Sequence, residues 1–359
     1  MSARLEILSG LGGKAPAALL LETAGARILI EAGGALEPGM EIGWELPEGR
    51  PLDAVIISHD HVDHIGAADR LPADVPVYTT EPVAAALPDY LQHRPLPLNG
   101  ELEIAGIRVR CGQAGHSLGG VWLHFEIGGG LFYSGDYSLE STLFRFDPPP
   151  PAELALLDAS YGLYDKPQTD CRAALQARLE QPTLLPVPAS GRALEMALWL
   201  DEQGIDWAMD QRCADQLDTL KSLPEGCFQP GVRESLERLS GSGSLDRSHV
   251  ALIGSPEGLG EEIERLIERG DRQLIYTGYT PPKARADVEA GRACWLRWNV
   301  HPRSSDLSRL SQLLGARRVI PLFTGLEPLV RWREVMGDAL YLPAQGGAGR
   351  LANAAIAID

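Results

Sequence analysis

The fold of this chain is decided by residues 58–64, whose sequence is Ser58-His59-Asp60-His61-Val62-Asp63-His64. Three of the chain's eight histidines and two carboxylates fall within six positions. The β-branched apolar run 53–58 predicts a buried strand before them, and 65–68 predicts the start of a helix. Side chains on such a strand-to-helix turn can converge on one point. Because imidazole and carboxylate are donors that zinc prefers, the stretch predicts a metal site.

The composition is that of an ordinary globular α/β protein of 359 residues. Its five cysteines are scattered and form no C-x-x-C pair, which argues against a disulfide framework and against a cysteine zinc site. The N-terminal residues lack the basic-then-apolar pattern of a signal peptide. No apolar run is long enough to span a bilayer. We therefore expect a cytoplasmic protein with no membrane partner.

The formal net charge is −17, which argues against non-specific adhesion to nucleic acid or anionic membranes. The charge is unevenly distributed. Residues 1–158 contain 22 acidic and 9 basic residues, whereas residues 159–359 contain 27 and 23. A surface that binds a polyanion is therefore expected in the second half.

The pattern His59-x-His61-x-Asp63-His64 resembles the signature of the metallo-β-lactamase fold superfamily. Two later residues follow in the order of that family: His116 on a glycine-flanked loop and Asp136 at a strand end. The resemblance implies that His116 is the next metal ligand and that Asp136 bridges two metals. Glu31 stands where the family commonly has an aspartate, which implies a buried carboxylate that orients the metal-site loop. The alternative for Glu31 is an edge-strand residue that faces water.

The second half alternates strands and helices, which predicts a small parallel sheet covered on both faces. Asp158 at a strand end, Ser190-Gly191-Arg192-x-x-Glu195 and residues 298–307 with His301 resemble motifs of the β-CASP branch. The resemblance implies an α/β fold: a metallo-β-lactamase αββα sandwich with an inserted β-CASP α/β cap domain. We expect the metallo-β-lactamase domain at 1–165 and 295–359, and the cap at 166–294.

The resemblance implies a site for two metals, expected to be two Zn²⁺, with Mn²⁺ as a cation that the same donors would accept. His59, His61 and His116 would hold one metal; Asp63, His64 and His301 would hold the other, with Asp136 between them. A hydroxide activated by both metals would attack the phosphorus. The expected catalytic residues are Asp60, Asp136, Asp158 and His301. Asp158 would fix the tautomer of His301, and Asp60 is either a proton acceptor or a structural hydrogen-bond partner.

Six residues are expected to bind substrate: Ser190, Gly191, Arg192, Ser304, Ser305 and Thr324. The first three open a helix, whose N-terminus offers free N–H groups to a phosphate. The alternative for Arg192 is an internal pair with Glu195, one helical turn on. His124 alternates with Trp122 and Glu126 along one strand face and is expected to be structural.

The resulting hypothesis is a dinuclear zinc-dependent hydrolase that cuts phosphodiester bonds of nucleic acid. Phe323 stands where RNA-directed members usually carry histidine and DNA-directed members an apolar residue, so DNA is the preferred substrate unless Phe323 is an ordinary core residue. The alternatives are an RNA-processing β-CASP ribonuclease, a metallo-hydrolase of a small ester or thioester, and a catalytically altered binding protein. Glu31 and Phe323, as departures from the family pattern, keep the last alternative open.

Overall fold

The computed structural model describes residues 2–37, 39–240, 243–343 and 354–358. The chain divides into two compact units. The first comprises Met1–Leu139, Phe146–Asp165 and His301–Asp359, and the second comprises Glu140–Arg145 and Lys166–Val300. The assignment of 166–294 as the whole cap domain stays a prediction.

The strands of the described residues are, in chain order, β1 (Ala3–Ser9), β2 (Ala18–Thr23), β3 (Arg27–Ile30), β4 (Ala54–Ile56), β5 (Pro76–Thr79), β6 (Gln92–Pro95), β7 (Gly100–Ile104), β8 (Ile107–Gln113), β9 (Val121–Phe125), β10 (Leu131–Tyr133), β11 (Leu154–Asp158), β12 (Thr183–Pro186), β13 (Trp207–Met209), β14 (Val250–Ile253), β15 (Gln273–Tyr276), β16 (Cys294–Trp295), β17 (Arg318–Leu322) and β18 (Ala354–Ile358).

The α-helices of the same residues are α1 (Val62–Ile65), α2 (Glu81–Ala84), α3 (Gln168–Gln176), α4 (Arg192–Glu202), α5 (Gln211–Ser222), α6 (Val232–Arg238), α7 (Glu261–Glu268), α8 (Pro282–Glu289), α9 (Ser304–Leu314) and α10 (Leu329–Met336). None of the helices in this described part of the chain combines the length and apolar character that crossing a bilayer requires.

The first unit contains two sheets. One has the order β18-β1-β2-β3-β4-β5-β6, and the other has the order β17-β11-β10-β9-β8-β7. An apolar core drawn from both sheets, including Ile7, Ile28, Leu123 and Leu156, is buried between them. Residues of α9 and α10 pack on the second sheet, and Ile65 with the short helices near it packs on the first. This layering is the predicted αββα sandwich.

The second unit contains one five-stranded sheet of order β13-β14-β12-β15-β16. Every strand pair in it is parallel. Helices α4 to α8 alternate with these strands along the chain, as the sequence pattern predicts. The α/β fold class with an inserted α/β domain is therefore confirmed.

Two local predictions are wrong. The sequence of residues 81–91 predicts a helix that starts at Glu81-Pro82, but α2 ends at Ala84. The chain reaches Pro88 soon afterwards, and the residue before a proline disfavours helical backbone. The sequence of residues 104–111 predicts a single strand, but the chain turns there between β7 and β8. The turn residues Ala105 and Gly106 both have positive φ, which suits a two-residue hairpin.

Candidate metal centre

The predicted site residues of the first unit meet at one edge of the two sheets. Strands β3 and β4 are parallel, and so are β10, β11 and β17. The carboxyl ends of parallel strands lie at the same edge. Glu31, His59, Asp136, Asp158 and Phe323 each stand at or just after the end of one of these strands. The topology therefore brings together residues that are far apart in the sequence.

The turn that carries Asp63 and His64 is held by main-chain hydrogen bonds. The N–H of Ala17 donates to the carbonyl of Asp63 at 2.7 Å, and the N–H of Ala32 donates to the carbonyl of His64 at 2.9 Å. A Cβ at Gly33 would collide with the main chain of Asp63 and Ala17, so only glycine allows this close approach. The two side chains therefore start from fixed positions.

The first donor group contains His59, His61, His116 and Asp136. One ligand atom from each lies within 4.8 Å of all the others. His59 Nε2 and His116 Nε2 are each 3.6 Å from Asp136 Oδ2, and His116 Nε2 is 3.0 Å from His61 Nδ1. Three imidazoles and one carboxylate at this spacing are compatible with a bound cation.

Two further donor groups share Asp136. Asp63, His64 and Asp136 form one, and Asp136, Asp158 and His301 form the other, each within the same 4.8 Å limit. His64 Nε2 lies 3.2 Å from Asp136 Oδ1. His301 Nδ1 lies 3.6 Å from Asp136 Oδ2 and 2.8 Å from Asp158 Oδ2. The structure thus places all seven predicted ligands in groups that have Asp136 in common.

Several donor atoms of these groups are buried and have no hydrogen-bond partner among the residues that the structure describes. They are His59 Nε2, both ring nitrogens of His64, Asp136 Oδ1 and, beside them, Glu31 Oε1. Leaving buried polar atoms unpaired costs free energy, and native structures rarely do so without a reason. A bound cation supplies that reason. The donor set therefore fits the metal that the fold family implies.

The ionisation of the first donor group favours neutral imidazoles. Burial, with the neighbouring His59, lowers the pKa of His61 to about 4. Burial, with His61 and His301, also holds the pKa of His116 well below its ordinary value. Metal ligands must be deprotonated, so both rings are in the form that binds a cation at neutral pH.

Two carboxylates of the site stay ionised. Burial raises the pKa of Asp136, but the charges of His64 and His301 outweigh burial and hold it well below its ordinary value. Burial likewise acts against the anion of Asp63, but the Lys14 and His64 charges lower its pKa. Each therefore offers negative charge to a cation.

Glu31 contacts the turn at residues 58–64 and holds it in place. It is 0% exposed. Its Oε2 accepts from the N–H of Ser58 at 3.1 Å, and its Oε1 lies 3.4 Å from His64 Nδ1. The alternative of a water-facing edge residue is wrong. The backbone of Glu31 has a φ of 66°, in the left-handed region that non-glycine residues rarely adopt.

Asp60 lies beside the donor groups but is not a member of them among the described residues. It is half-buried, and its Oδ1 has no hydrogen-bond partner. Its charge acts on His61, whose pKa it tends to raise. Its role as a proton acceptor stays a prediction.

One residue of the site was missed by sequence reasoning. Lys14 Nζ donates to Asp63 Oδ2 at 2.7 Å. The Lys14 side chain is 32% exposed. Partial burial disfavours the ammonium, but the charges of Asp63 and Asp136 outweigh it and raise the pKa of Lys14. Nothing in the local pattern of residues 10–14 links them to a turn that lies 49 positions away. The glycine-rich loop that carries Lys14 was the one available signal.

Phe323 is a core residue of this edge. It is 2% exposed, and its ring centroid lies 5.5 Å from that of His64. Its N–H donates to the carbonyl of Gly10 at 2.7 Å, and its φ is 63°. The interpretation of Phe323 as an ordinary packing residue, which the sequence left open, agrees with this environment.

Three predicted substrate residues lie in the second unit, where α4 begins. Gly191 precedes the helix with a φ of 81°. Ser190 Oγ is buried and has no hydrogen-bond partner among the described residues. The guanidinium of Arg192 packs against Gly278, where a Cβ would not fit. Glu195 accepts from the N–H of Thr142 at 2.9 Å and from Trp298 Nε1 at 3.0 Å, so its carboxylate anchors a loop of this unit.

The other three predicted substrate residues lie in the first unit. Ser304 and Ser305 begin α9, where their N–H groups donate to the carbonyl of Tyr164 and to Asp165 Oδ1, each at 2.9 Å. Thr324 follows β17, and its Oγ1 lies 3.4 Å from the carbonyl oxygen of Gly325. Substrate contact by any of the six residues stays a prediction.

His124 provides a test of the boundary of the site. It lies in β9, outside the donor groups of the described chain, with Nε2 3.0 Å from the carbonyl of Pro151. We expect His124→Ala to leave the metal content unchanged and to cost about 1 kcal/mol of stability through the lost hydrogen bond. Elemental analysis of the purified variant checks this. Loss of metal would show that the donor groups are assigned wrongly.

Comparison with known proteins identifies the family. A family model described as a beta-lactamase superfamily domain matches residues 26–195. Transcription termination factor FttA of Methanothermobacter thermautotrophicus is 30% identical over 387 aligned positions, which cover 85% of this chain and 59% of the relative. A ribonuclease of Thermus thermophilus is 25% identical, with 73% of this chain and 76% of the relative covered.

Two further similarities agree with the matches above. Cleavage and polyadenylation specificity factor subunit 3 of Dictyostelium discoideum is 26% identical over 43% of this chain and 25% of its own length. A crystal structure of a protein of unknown function from Enterococcus faecalis V583 has the same fold, with a TM-score of 0.65 at 14% identity over 99% of this chain and 100% of that one.

This chain spans between 38% and 59% of the length of the first four FttA relatives. The matched region contains the turn at 58–64, His116, Asp136 and the first motifs of the inserted domain. By its paired sheets, its inserted parallel-sheet unit and these similarities, the chain is similar to proteins of the metallo-β-lactamase superfamily and of its β-CASP branch.

Proposed function

We propose that this chain is a metal-dependent hydrolase that cuts phosphodiester bonds of RNA. The observation that carries the proposal is the set of imidazoles and carboxylates that share Asp136 at one sheet edge. The names of the relatives support the substrate class, because they include a ribonuclease and a cleavage and polyadenylation factor.

We assign two cation positions to the donor groups. The first position is formed by His59, His61, His116 and Asp136. The second position is formed by Asp63, His64, His301 and Asp136. Zinc suits this mixture of imidazole and carboxylate, and manganese is the alternative. Cations held by these residues would supply Lewis-acid activation of water and stabilisation of charge on the phosphoryl group.

The residues around the donor groups orient the ligands. Asp158 Oδ2 accepts from His301 Nδ1, which leaves the other ring nitrogen as the electron-pair donor. Glu31 holds the N–H of Ser58 and contacts His64 on its far nitrogen. We assign to the half-buried Asp60 the role of proton acceptor for the attacking water. The chain thus supplies ligand geometry and proton transfer without a serine or cysteine nucleophile.

RNA replaces DNA as the proposed substrate. The preference for DNA depended on Phe323 as the residue that replaces a substrate-contacting histidine. The comparisons do not support that preference. The ring is buried against His64 and the loop at Gly10, which is a packing role rather than a substrate contact.

Phosphate contacts are proposed for Ser190, Gly191 and Arg192 in the second unit. The first-turn N–H groups of α4 donate to the carbonyls of Ser190, Pro188 and Gly191. The helix dipole, rather than a set of free N–H groups, therefore favours an anion there. The buried hydroxyl of Ser190 without a hydrogen-bond partner supports a ligand at this helix start. Ser304, Ser305 and Thr324 are proposed as hydrogen-bond donors to the nucleic-acid backbone in the first unit.

The proposal is tested with end-labelled single-stranded RNA and DNA of one sequence. We expect cleavage of the RNA in the presence of zinc or manganese and no cleavage when a chelator is added. Matched reactions contain the His124→Ala variant, which should cut as the parent protein does. Preferential cutting of DNA would restore the Phe323 interpretation. No cutting of either substrate by protein with metal bound would favour a small-ester or thioester hydrolase.

A further inference from the structure

The loop after β1 carries Lys14 to the second cation position. Lys14 Nζ is 2.7 Å from Asp63 Oδ2, and Asp63 is only 7% exposed. The same Nζ lies 5.3 Å from the centroid of the Phe323 ring, within the range at which an aromatic face attracts an ammonium. A positive charge of the chain itself therefore contacts a ligand of a proposed cation.

The loop is fixed at both ends, so this contact is part of the fold. At its start, the carbonyl of Gly10 accepts from the N–H of Phe323 at 2.7 Å. The φ of Gly10 is 100°, and a Cβ there would collide with the Phe323 ring. At its end, the N–H of Ala17 donates to the carbonyl of Asp63 at 2.7 Å. The second anchor is to the donor residue Asp63, and the ring of Phe323 at the first anchor packs on the donor His64, so Lys14 lies on a loop held at both ends beside the second position.

We propose that Lys14 makes the two cation positions unequal. Its ammonium holds the carboxylate of Asp63 and sets a fixed positive charge beside the second position. A cation therefore binds there more weakly than at the first position, where the neighbouring groups described above are imidazoles and Asp136. This inference rests on the proposed cation binding and concerns the order in which the positions fill. Lys14 is a positioning residue that acts through Asp63.

Two opposing effects decide whether removal of Lys14 strengthens or weakens cation binding at the second position. Removing Lys14 releases the Asp63 carboxylate, and losing such a partner commonly weakens metal binding about 10–100-fold. Removing it also removes a repulsion, which for a divalent cation is twice that between two unit charges at the same distance. The main chain of Asp63 stays anchored through Ala17, and its side chain is 10% exposed, so it has little freedom to turn away. We therefore expect the loss of repulsion to dominate.

The test measures cation binding in the absence of nucleic acid. Metal-free protein is titrated with zinc(II) by calorimetry, with a competing chelator to reach tight affinities. We expect two binding steps in the parent protein that differ by about tenfold or more. Lys14→Met, which keeps the length of the side chain but removes the charge, should tighten the second step and reduce the difference to about threefold or less. Lys14→Arg keeps the charge and should preserve the difference.

Lys283→Met is the matched control. Lys283 Nζ pairs with Asp287 Oδ2 at 2.9 Å in the second unit, so its loss removes an equivalent lysine–aspartate contact away from the donor groups. Both zinc steps should be unchanged in this variant. Circular dichroism of each variant shows whether it is folded. A folded Lys14→Met variant is required for the comparison, and Lys14→Gln replaces it if that variant unfolds.

The outcomes separate this inference from the proposed function. Two zinc-binding steps of equal affinity in the parent protein would overturn the role of Lys14 even if RNA is cut. A lower affinity of the second step in Lys14→Met would overturn it too. Unequal steps that converge in Lys14→Met would support it even if no RNA is cut. Binding of fewer than two cations by both proteins would overturn it as well.

Discussion

Replacing Asp136 with alanine is expected to release bound metal and abolish hydrolysis. Asp136 is the one residue common to the first donor group and to the groups of Asp63 and His301. Its loss removes a ligand from both cation positions and leaves the imidazoles without their shared anion. Cations in such sites contribute several kcal/mol of transition-state stabilisation. The rate should therefore fall about 10³-fold or more.

The measurement combines elemental analysis with the RNA cleavage assay. Asp136→Asn is the size-matched variant: it keeps one oxygen but removes the charge, and it should also lose metal. Asp136 belongs to the first unit, so the second unit should stay folded, which limited proteolysis can show. Full activity of Asp136→Ala with a normal metal content would refute the shared role.

Replacing Phe323 with alanine is expected to cost about 3–5 kcal/mol of stability, as for other buried phenylalanines. The ring packs on His64, on the loop at Gly10 and under the ammonium of Lys14. Since native proteins are stable by about 5–15 kcal/mol, this loss is large. We expect no change in the ratio of RNA to DNA cleavage, because the ring is buried.

Urea unfolding measures the first effect, and cleavage of matched RNA and DNA measures the second at a temperature where the variant is folded. Phe323→Leu serves as the control, since it retains most of the buried volume and should cost less. A variant of normal stability that cuts DNA better or worse relative to RNA would contradict the packing role and restore Phe323 as a specificity residue.

The turn at 58–64 shows how much of the site local sequence can reveal. Its donors lie within six positions, so their convergence follows from one strand-to-helix turn. His116, Asp136 and His301 were found only through their order along the chain, because nothing local distinguishes them. The parallel pairing of β3 with β4 and of β10 with β11 explains why the turn at 58–64 and Asp136 lie at strand ends, and such pairing is a long-range property of the sheets.

Lys14 shows what local sequence cannot reveal. Its partner Asp63 is 49 positions away. The contact exists because β1 runs in the same direction as β3, each being antiparallel to β2. The loop after β1 therefore leaves the sheet at the edge where the donors lie. Such a contact follows from strand order, which the alternation of apolar and polar residues does not determine.

The predictions about Phe323 and about residues 81–91 differ from the findings for different reasons. The substrate preference inferred from Phe323 assumed that this side chain faces the substrate. Its exposure depends instead on a loop more than 300 positions earlier in the chain. The predicted helix over 81–91 took Glu81-Pro82 as its start and gave too little weight to Pro88. In the first case tertiary packing decides, and in the second the backbone restriction before proline decides.

The central claim is that the donor groups around Asp136 hold the catalytic cations. Anomalous X-ray scattering from crystals soaked in zinc or manganese tests it most directly. We predict one peak among His59, His61, His116 and Asp136, and a second among Asp63, His64, His301 and Asp136. Peaks elsewhere in the molecule, or none at this edge in a crystal with the fold intact, would contradict the account.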